Sequence, residues 1–502
     1  MNPVIEGLAA LGDPFVLLCI AIGSVIGLLV GTFPGVTATM AVALASSFTL
    51  TLEPVAGLAV LLTIYVSANF GDRVPAILIN TPGTPASIAT TFDGYPMAKQ
   101  GRAGVALTTS AFASAAGTVF GLIILIAAAI PLSRLALEFG PPETFALVLF
   151  GLAMMISISG SHVILGLMSG ALGLLLATVG RDPITGADRF TFGVLELSDG
   201  IPFIAAIIGL FGVAEIMSDL ARSRDRGTEP IRQLGRWWPN RTELRQMGKP
   251  MAIGAGVGAV VGAVPATGGD IGGIIAWSQA KRASKTPEEF GHGSIEGLTA
   301  ADTSSNATLG PSVTTTLALG IPGDSVMAVM IGSLVIWGIQ PGPSLFTNRP
   351  DLVYTIAGIM TIAMIVALGL SLLRLRGVTR LLNLPPRYLW TIVLAACIVG
   401  TYSVNNSLVD VVVMICFGVL GTIMRRFDVP VGPLVLGLLL GELAEANLRR
   451  SLEIGGIGTI LESPIALVLF GITTLALVGP PVRRAWRRRR TRTETAPSKG
   501  HP

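Results

Sequence analysis

Apolar stretches of roughly 20 residues, the length needed to cross a hydrocarbon core, recur along most of this 502-residue chain. Phe15–Val30, Pro54–Phe70, Gly104–Ile130, Thr144–Ser159, Val163–Val179 and Ile201–Leu220 form one series. Leu352–Leu373, Leu389–Val399, Leu408–Met424, Val431–Leu440 and Ile465–Val478 form a later one. Only 13% of the residues are charged and 51% are hydrophobic, whereas a soluble domain carries roughly a quarter charged residues. The expected fold is therefore an all-α polytopic membrane protein with about 10–14 transmembrane or re-entrant helices.

Charge sets the sidedness. The formal net charge of +4 gathers in Arg222–Lys249 and in Arg483–Arg492, and basic loops mark the cytosolic side. Neither cluster carries an aromatic-interleaved basic fold. They are expected to be topology signals with some contact to membrane lipid, not nucleic-acid sites. Glu6 and Asp13, with no Lys or Arg, precede the first apolar run, so a cleaved signal peptide is not expected and the first helix should remain as an anchor. Cys19, Cys397 and Cys416 are scattered in apolar runs and form neither a disulfide framework nor a metal site.

Several apolar runs are interrupted. Ala76–Gly94 stops at Asn80, turns through Pro82-Gly83 and restarts behind Thr84-Pro85. Before it, Gly31-Thr-Phe-Pro34-Gly35-Val36-Thr37 separates the first span from the short run Val36–Leu50. Beyond the basic linker, Met251–Val264 ends at Pro265-Ala266-Thr267-Gly268-Gly269-Asp270, and Ile271–Ala280 resumes it. A polar insertion covers Lys281–Asn306; then Thr314–Leu319 stops at Gly320-Ile321-Pro322-Gly323, and a helix restarts behind Asp324-Ser325. Pro removes a backbone donor and Gly loosens the chain, and irregular backbone at membrane depth is tolerated only where protein or a water-filled cavity satisfies it. The order of breaks repeats, with Gly31-x-x-Pro34-Gly35 matching Gly262-x-x-Pro265-Ala266. This divides the chain into related halves, 1–221 and 251–482, around a basic cytosolic linker, 222–250, with a basic tail, 483–502. Broken segments at matching positions of two halves point to a transporter's binding site, whether the repeat is parallel or inverted.

The candidate substrate residues follow from these breaks. Thr84 suits an N-cap and Pro85 the first helical position; the helix start, with Thr81, Thr84 and Ser87 as donors, could hold an anion. Asn80 could meet a cation or a carboxylate. Pro34, Gly35, Thr37, Pro82 and Gly83 from the first half, and Thr267, Gly268, Asn306, Pro322, Gly323 and Ser325 from the second, complete the expected site. The plainer alternative is a set of capped turns facing nothing. Arg73 is a possible partner for a substrate carboxylate, but pairing with Asp72 or snorkelling to the interface explains it equally. Asp270 and Asp302 are candidates for ion coupling, although Asp302 could instead cap a helix. Ser159-Gly160-Ser161-His162 superficially suggests a serine protease, yet adjacency in sequence is not a catalytic geometry. His292 and His501 lie in the polar insertion and the tail. The chain has no His-Glu-x-x-His, Cys-x-x-Cys or Gly-x-x-x-x-Gly-Lys-Ser/Thr element, so enzymatic activity, including ATP hydrolysis, and a cofactor are not expected.

Over nearly its whole length the chain resembles TctA, the large membrane subunit of tripartite tricarboxylate transporters. Gly31-Thr-Phe-Pro34-Gly35, Ile79-Asn80-Thr81-Pro82-Gly83-Thr84-Pro85 and Thr91-Phe92-Asp93-Gly94-Tyr95-Pro96 with Gln100-Gly101 carry the resemblance. Leu319-Gly320-Ile321-Pro322-Gly323 and Gly338-Ile339-Gln340-Pro341-Gly342-Pro343 extend it. The resemblance implies a multi-pass secondary transporter of the bacterial inner membrane that imports a small carboxylate by symport with Na+ or H+. Its implied partners are a small four-helix membrane subunit and a periplasmic solute-binding protein. A non-transporting scaffold that docks the binding protein and a channel-like facilitator are the alternatives. The chain departs from the family pattern at Ala266, at Gly71-Asp72-Arg73 (a Gly-Gly-Ser type element elsewhere), at Ala301-Asp302-Thr303-Ser304-Ser305-Asn306 (a Pro-Glu-Ala-Ala-Asn-Asn type run) and at Asp324 (a small neutral residue). These departures put citrate itself in question.

Overall fold

The computed structural model describes residues 3–33, 35–158, 163–182, 184–222, 231, 234–265, 268–373 and 386–478. A short helix, α1 (Pro3–Ala9), leads to α2 (Pro14–Thr32), which starts where the Asp13 carboxylate accepts from Phe15 N–H at 2.8 Å. Next come α3 (Ala38–Thr49), α4 (Pro54–Gly71), α5 (Arg73–Ile79), α6 (Ile88–Met97) and the long α7 (Ala103–Ala136). Helices α8 (Pro141–Ile158) and α9 (Val163–Leu176) precede an antiparallel hairpin of β1 (Gly180–Arg181) and β2 (Asp188–Arg189). A π-helical turn, Ile208–Val213, joins α10 (Phe203–Ile207) to α11 (Ala214–Arg222). The second series runs α12 (Arg241–Ala263), α13 (Gly268–Ala283), α14 (Ile295–Ala307), α15 (Leu309–Leu319), α16 (Ser325–Ile336), α17 (Pro343–Asn348) and α18 (Pro350–Leu372). The last helices are α19 (Pro386–Asn405), α20 (Leu408–Arg426), α21 (Gly432–Gly455), α22 (Ile457–Glu462) and α23 (Pro464–Val478).

Among the described residues, five helical segments are long and apolar enough to cross a membrane: Pro14–Thr32, Pro54–Ile79, Pro85–Ala128, Pro350–Leu372 and Leu408–Arg426. Shorter apolar helices accompany them. The chain is an all-α polytopic membrane protein. It forms two compact units, one from 1–138 and 193–427, the other from 139–192 and 428–502.

In the first unit the packing is set by glycine ladders. Gly23, Gly27 and Gly31 recur every fourth residue on α2, so they share one face. A Cβ at these positions would stand 2.0 Å from Thr63 Oγ1, 2.6 Å from Ile64 O and 2.3 Å from Ala68 O on α4. Gly254, Gly258 and Gly262 on α12 repeat the spacing, and a Cβ there would meet Ala300 O, Ser304 O and Thr308 O at 2.5–2.6 Å. In lipid the hydrophobic drive between helices is lost, so backbones that approach this closely gain their stability from dispersion contacts. Three successive hydroxyls of this interior are satisfied locally: Thr314, Thr315 and Thr316 each donate to the carbonyl four residues back, at 2.7–2.9 Å.

Several elements differ from the sequence reading: the run Val431–Leu440 extends to Gly455, and the polar connection Arg181–Ser198 holds the hairpin. Helix α12 begins ten residues before Met251, inside the basic linker, because Asn240 and Glu243 form a reciprocal capping box. The polar insertion contains α14, of which Gly297–Ala307 is buried throughout. Its Thr, Ser, Asp and Asn residues face other parts of the protein, so hydropathy alone misreads it as a solvated connection.

In the second unit a charge network anchors the hairpin. Arg189 makes a two-pronged contact with Glu445 at 2.8 and 3.1 Å, and Arg449 reaches Asp182 at 3.1 Å and Glu445 at 2.5 Å. Backbone N–H groups of Thr185 and Ile184, with Arg449 adding charge, hold the Asp182 carboxyl well below the usual carboxylate range.

Candidate functional site

The breaks come in two pairs with matching backbone. Helix α2 ends at Phe33 (φ −86°, ψ 119°), whose N–H returns to Val30 O at 3.0 Å. Helix α12 ends at Val264 (φ −82°, ψ 119°), whose N–H returns to Val261 O at 3.1 Å. Helices α5 and α15 likewise stop at left-handed residues, Asn80 (φ 54°) and Gly320 (φ 70°). Each is followed by Pro-Gly and then by an extended residue, Thr84 or Asp324, that opens the next helical turn. Asn tolerates the left-handed conformation better than most non-glycine residues, which explains why α5 can stop without a glycine.

All four breaks lie in the first unit and touch. Gly83 packs on Gly31 O and Asp72; a Cβ there would be 2.7 Å and 2.9 Å from them. Gly268 (φ 53°) leaves 3.0 Å between its own Cβ position and Asp324 Cβ. Cross-links then join the two pairs: Thr39 Oγ1 to Ser325 Oγ at 2.9 Å, and Ser305 Oγ donating to Ala86 O at 3.0 Å.

At the junction sits Arg73, 2% exposed, between two carboxylates that are 0% exposed. Its Nε lies 3.3 Å from Asp72 Oδ1 and 3.6 Å from Asp302 Oδ1. Its Nη1 donates to Ala86 O at 3.3 Å and Thr90 Oγ1 at 3.4 Å. Thr90 in turn donates to Asp302, and Thr84 donates to Asp72. The cluster is not closed: Asp72 Oδ1, Asp302 Oδ2, Asn306 Oδ1 and Arg73 Nη2 have no hydrogen-bond partner, although all are buried. Buried polar atoms are normally satisfied, so these atoms are the candidates for holding a ligand at the centre of the fold. A third carboxylate, Asp324, caps α16 through Met327 N–H at 2.8 Å and accepts from Tyr65 and from Ser312 at 3.0 Å.

The expected site residues distribute as follows. Thr84 opens its helical turn with Pro85 behind it, and Ser87 Oγ accepts from Thr84 N–H at 3.3 Å. The Thr84 hydroxyl, however, is donated to Asp72, so a carboxylate of the chain itself already stands at that helix start. Asn80 is exposed; Thr81 bonds back to Ile79 O and Pro75 O, and Pro82 is half-buried. Gly35 (φ 92°) forms the first turn, and Thr37 caps α3 through Met40 N–H at 3.2 Å. Pro322 is buried, and Gly323 N–H donates to Thr316 Oγ1 at 3.0 Å. Asn306 Nδ2 donates to Asp302 O at 3.0 Å. Asp302 lies within α14 and caps nothing, and Arg73 is inside the protein instead of at the interface. Pro34, Thr267, the Ser159–His162 segment, His501 and the basic tail lie outside the described residues, as does the Asp270 side chain. Sequence reasoning missed Tyr65 and Thr90, single hydroxyls with no local signal, and named Ser305 only within the run Ala301–Asn306. It named Asp72 as a possible partner of Arg73 and as part of a departure from the family pattern, not as a site residue.

Comparison with known proteins accords with this architecture. A family model described as "Tripartite tricarboxylate transporter TctA family" matches residues 17–436. The chain is 38% identical over 460 residues, 91% of each chain, to an uncharacterized 52.8 kDa protein in the TAR-I ttuC' 3' region of Agrobacterium vitis. It is 34% identical over 223 residues to an uncharacterized protein in the TAR-II ttuC' 3' region of the same organism, covering 44% of this chain and 92% of that one. No solved structure matches. With the family model covering most of its length, the chain belongs to the TctA family of tripartite tricarboxylate transporters.

Proposed function

We propose that the chain is the large transmembrane subunit of a binding-protein-dependent secondary transporter, importing a small carboxylate across the bacterial inner membrane with Na+ or H+. Its partners in this reading are a small membrane subunit and a periplasmic solute-binding protein. The observation that carries it is the open cluster of Arg73 between Asp72 and Asp302, at the meeting point of four helix breaks. Ionisable groups at membrane depth are functional by default, and paired broken helices are the usual frame of a transporter site.

Charge balance supplies the reason for coupling. Asp72 and Asp302 stand against the single cation Arg73, so with both ionised the cluster is net negative. An incoming carboxylate makes this worse, and an uncompensated buried charge is costly. A cation or proton taken up by Asp302 and the neighbouring oxygens of Asp72 and Asn306 would offset that cost, so anion and cation enter together. The two halves would then act as repeats that move relative to each other.

The test is uptake by the chain reconstituted with both partners. Asn80→Ala and Thr84→Ala should abolish uptake with normal membrane insertion, and Asp302→Asn should abolish accumulation against a gradient. Collapsing the sodium and proton gradients separately identifies the ion; uptake that survives the loss of both overturns the coupled reading in favour of a facilitator.

A further inference from the structure

Two helix starts meet among the breaks. Helix α3 opens behind Thr37 and helix α16 behind Asp324. Thr39, in the first turn of α3, is joined to Ser325, in the first turn of α16, at 2.9 Å. The N–H groups of a first turn have no intrahelical partner and carry the positive end of the helix dipole. Facing helix starts therefore concentrate the capacity to bind an anion. The place is also reachable: Asp324 and Ser325 are half-buried, whereas Gly323 and Val326 on either side are buried.

This seat already holds a carboxyl group, and it is the chain's own. Asp324 accepts from Met327 N–H at 2.8 Å, from the Ser312 hydroxyl at 3.0 Å and from the Tyr65 hydroxyl. The three donors belong to α16, α15 and α4, so helices distant in sequence converge on one side chain. A carboxylate offers about four lone-pair positions, and three are matched here, which is the arrangement expected of a bound substrate acid. A Cβ at Gly268 would stand 3.0 Å from Asp324 Cβ, so the remaining side is closed by protein. The Thr84 helix start differs. Its carboxylate, Asp72, has Arg73 Nε 3.3 Å away, so that seat keeps a cation for a substrate carboxylate, while the α16 seat has neutral donors only and is full.

We propose that Asp324 is a specificity-determining residue. Its side chain fills the α16 seat from within, so the protein takes acids with one carboxylate and excludes those that need a second seat at this helix start. The assignment rests on the transporter reading for the site of the first carboxylate; it is independent of which ion is coupled.

The test uses lactate, succinate and citrate as probes, at equal ionic strength, on the purified full-length chain, with binding read as the rise in unfolding temperature. Wild-type protein should be stabilised by lactate and not by citrate. Asp324→Ser keeps a hydroxyl to cap α16 and empties the seat. In this variant the affinity for citrate relative to lactate should rise at least about ten-fold, the worth of one hydrogen bond to a charged group, with succinate between them. Asp324→Asn fills the seat with a group of the same shape and should stay closed to citrate. Should Asp324→Ser fail to fold, Asp324→Gly, well tolerated at a helix start, carries the same expectation. Lactate binding with an unchanged citrate-to-lactate ratio in the emptied variants refutes the proposal and leaves the transporter reading standing. Citrate binding by the wild-type chain, or its gain in Asp324→Asn, also refutes it, since the seat would not be closed by occupancy. If no acid binds either the wild type or the emptied variants, the transporter reading falls and the proposal with it.

Discussion

Arg73→Gln and Asp302→Asn perturb the same buried cluster, but the structure predicts very different costs. Arg73 is the cation between Asp72 and Asp302, so its neutralisation leaves two carboxylates buried and uncompensated. Removing one partner of a buried ion pair typically costs about 3–5 kcal/mol. Asp302→Asn keeps the shape of the side chain and its acceptor for Thr90, and it leaves Arg73 facing Asp72 as a one-to-one pair. The expected cost is about 1 kcal/mol, that of weakening one hydrogen bond. In the double variant a single carboxylate stays unpaired, so Asp302→Asn should partly rescue Arg73→Gln. Reversible unfolding in mixed micelles, run as a double-mutant cycle, measures all three. Equal destabilisation by the two single substitutions, or simple additivity in the double, would falsify the charge-count reasoning. It would mean that packing around Arg73, and not its pairing, holds the cluster.

Two further predictions concern the scaffold. Gly258→Leu places a Cβ 2.5 Å from Ser304 O, whereas Gly256, on the same helix, has nothing within 4 Å of its Cβ position. Thermal unfolding should show Gly258→Leu losing at least about 1–3 kcal/mol to overpacking and Gly256→Ala gaining up to about 1 kcal/mol from helix propensity; the reverse order would contradict the ladder. The depressed Asp182 carboxyl makes the β1–β2 hairpin acid-labile. Because the folded value lies below the unfolded one, its stabilisation is complete above the ordinary Asp range and is lost as pH falls through the folded value. Amide exchange in residues 184–189, corrected for intrinsic rate, should therefore accelerate below about pH 3, and Asp182→Asn should show the fast exchange already at neutral pH.

Much of this was legible in the sequence because helix punctuation is local. Pro85 behind Thr84, the Pro-Gly pairs and the recurrence of apolar runs each act within a few residues, so the breaks and restarts were readable in advance. The charge cluster was not, because Arg73 and Asp302 are 229 positions apart and meet only through packing. The α14 helix was hidden for a related reason. A segment whose hydroxyls and carboxylate are all turned into protein has the composition of a solvated loop, and hydropathy has no means of distinguishing the two. The capping box at Asn240 and Glu243, in contrast, was written plainly in the linker but masked by the surrounding arginines.

The Asp93 carboxylate accepts from Gly291 N–H at 2.8 Å, Gly293 N–H at 3.1 Å, Ser294 N–H at 2.9 Å and Trp277 Nε1 at 2.6 Å. These donors belong to α13 and to the turn that launches α14, while Asp93 belongs to α6. Four bonds to one ionised group, each stronger than a neutral one, act as a clamp on the register of these three elements. Helix α14 cannot slide along α6 without breaking them, so Asp302 keeps its height relative to Thr90 whatever else moves. A displacement that carries the ion cluster must take α6, α13 and α14 as one rigid body, and its hinges must lie elsewhere, at backbone that no such clamp secures.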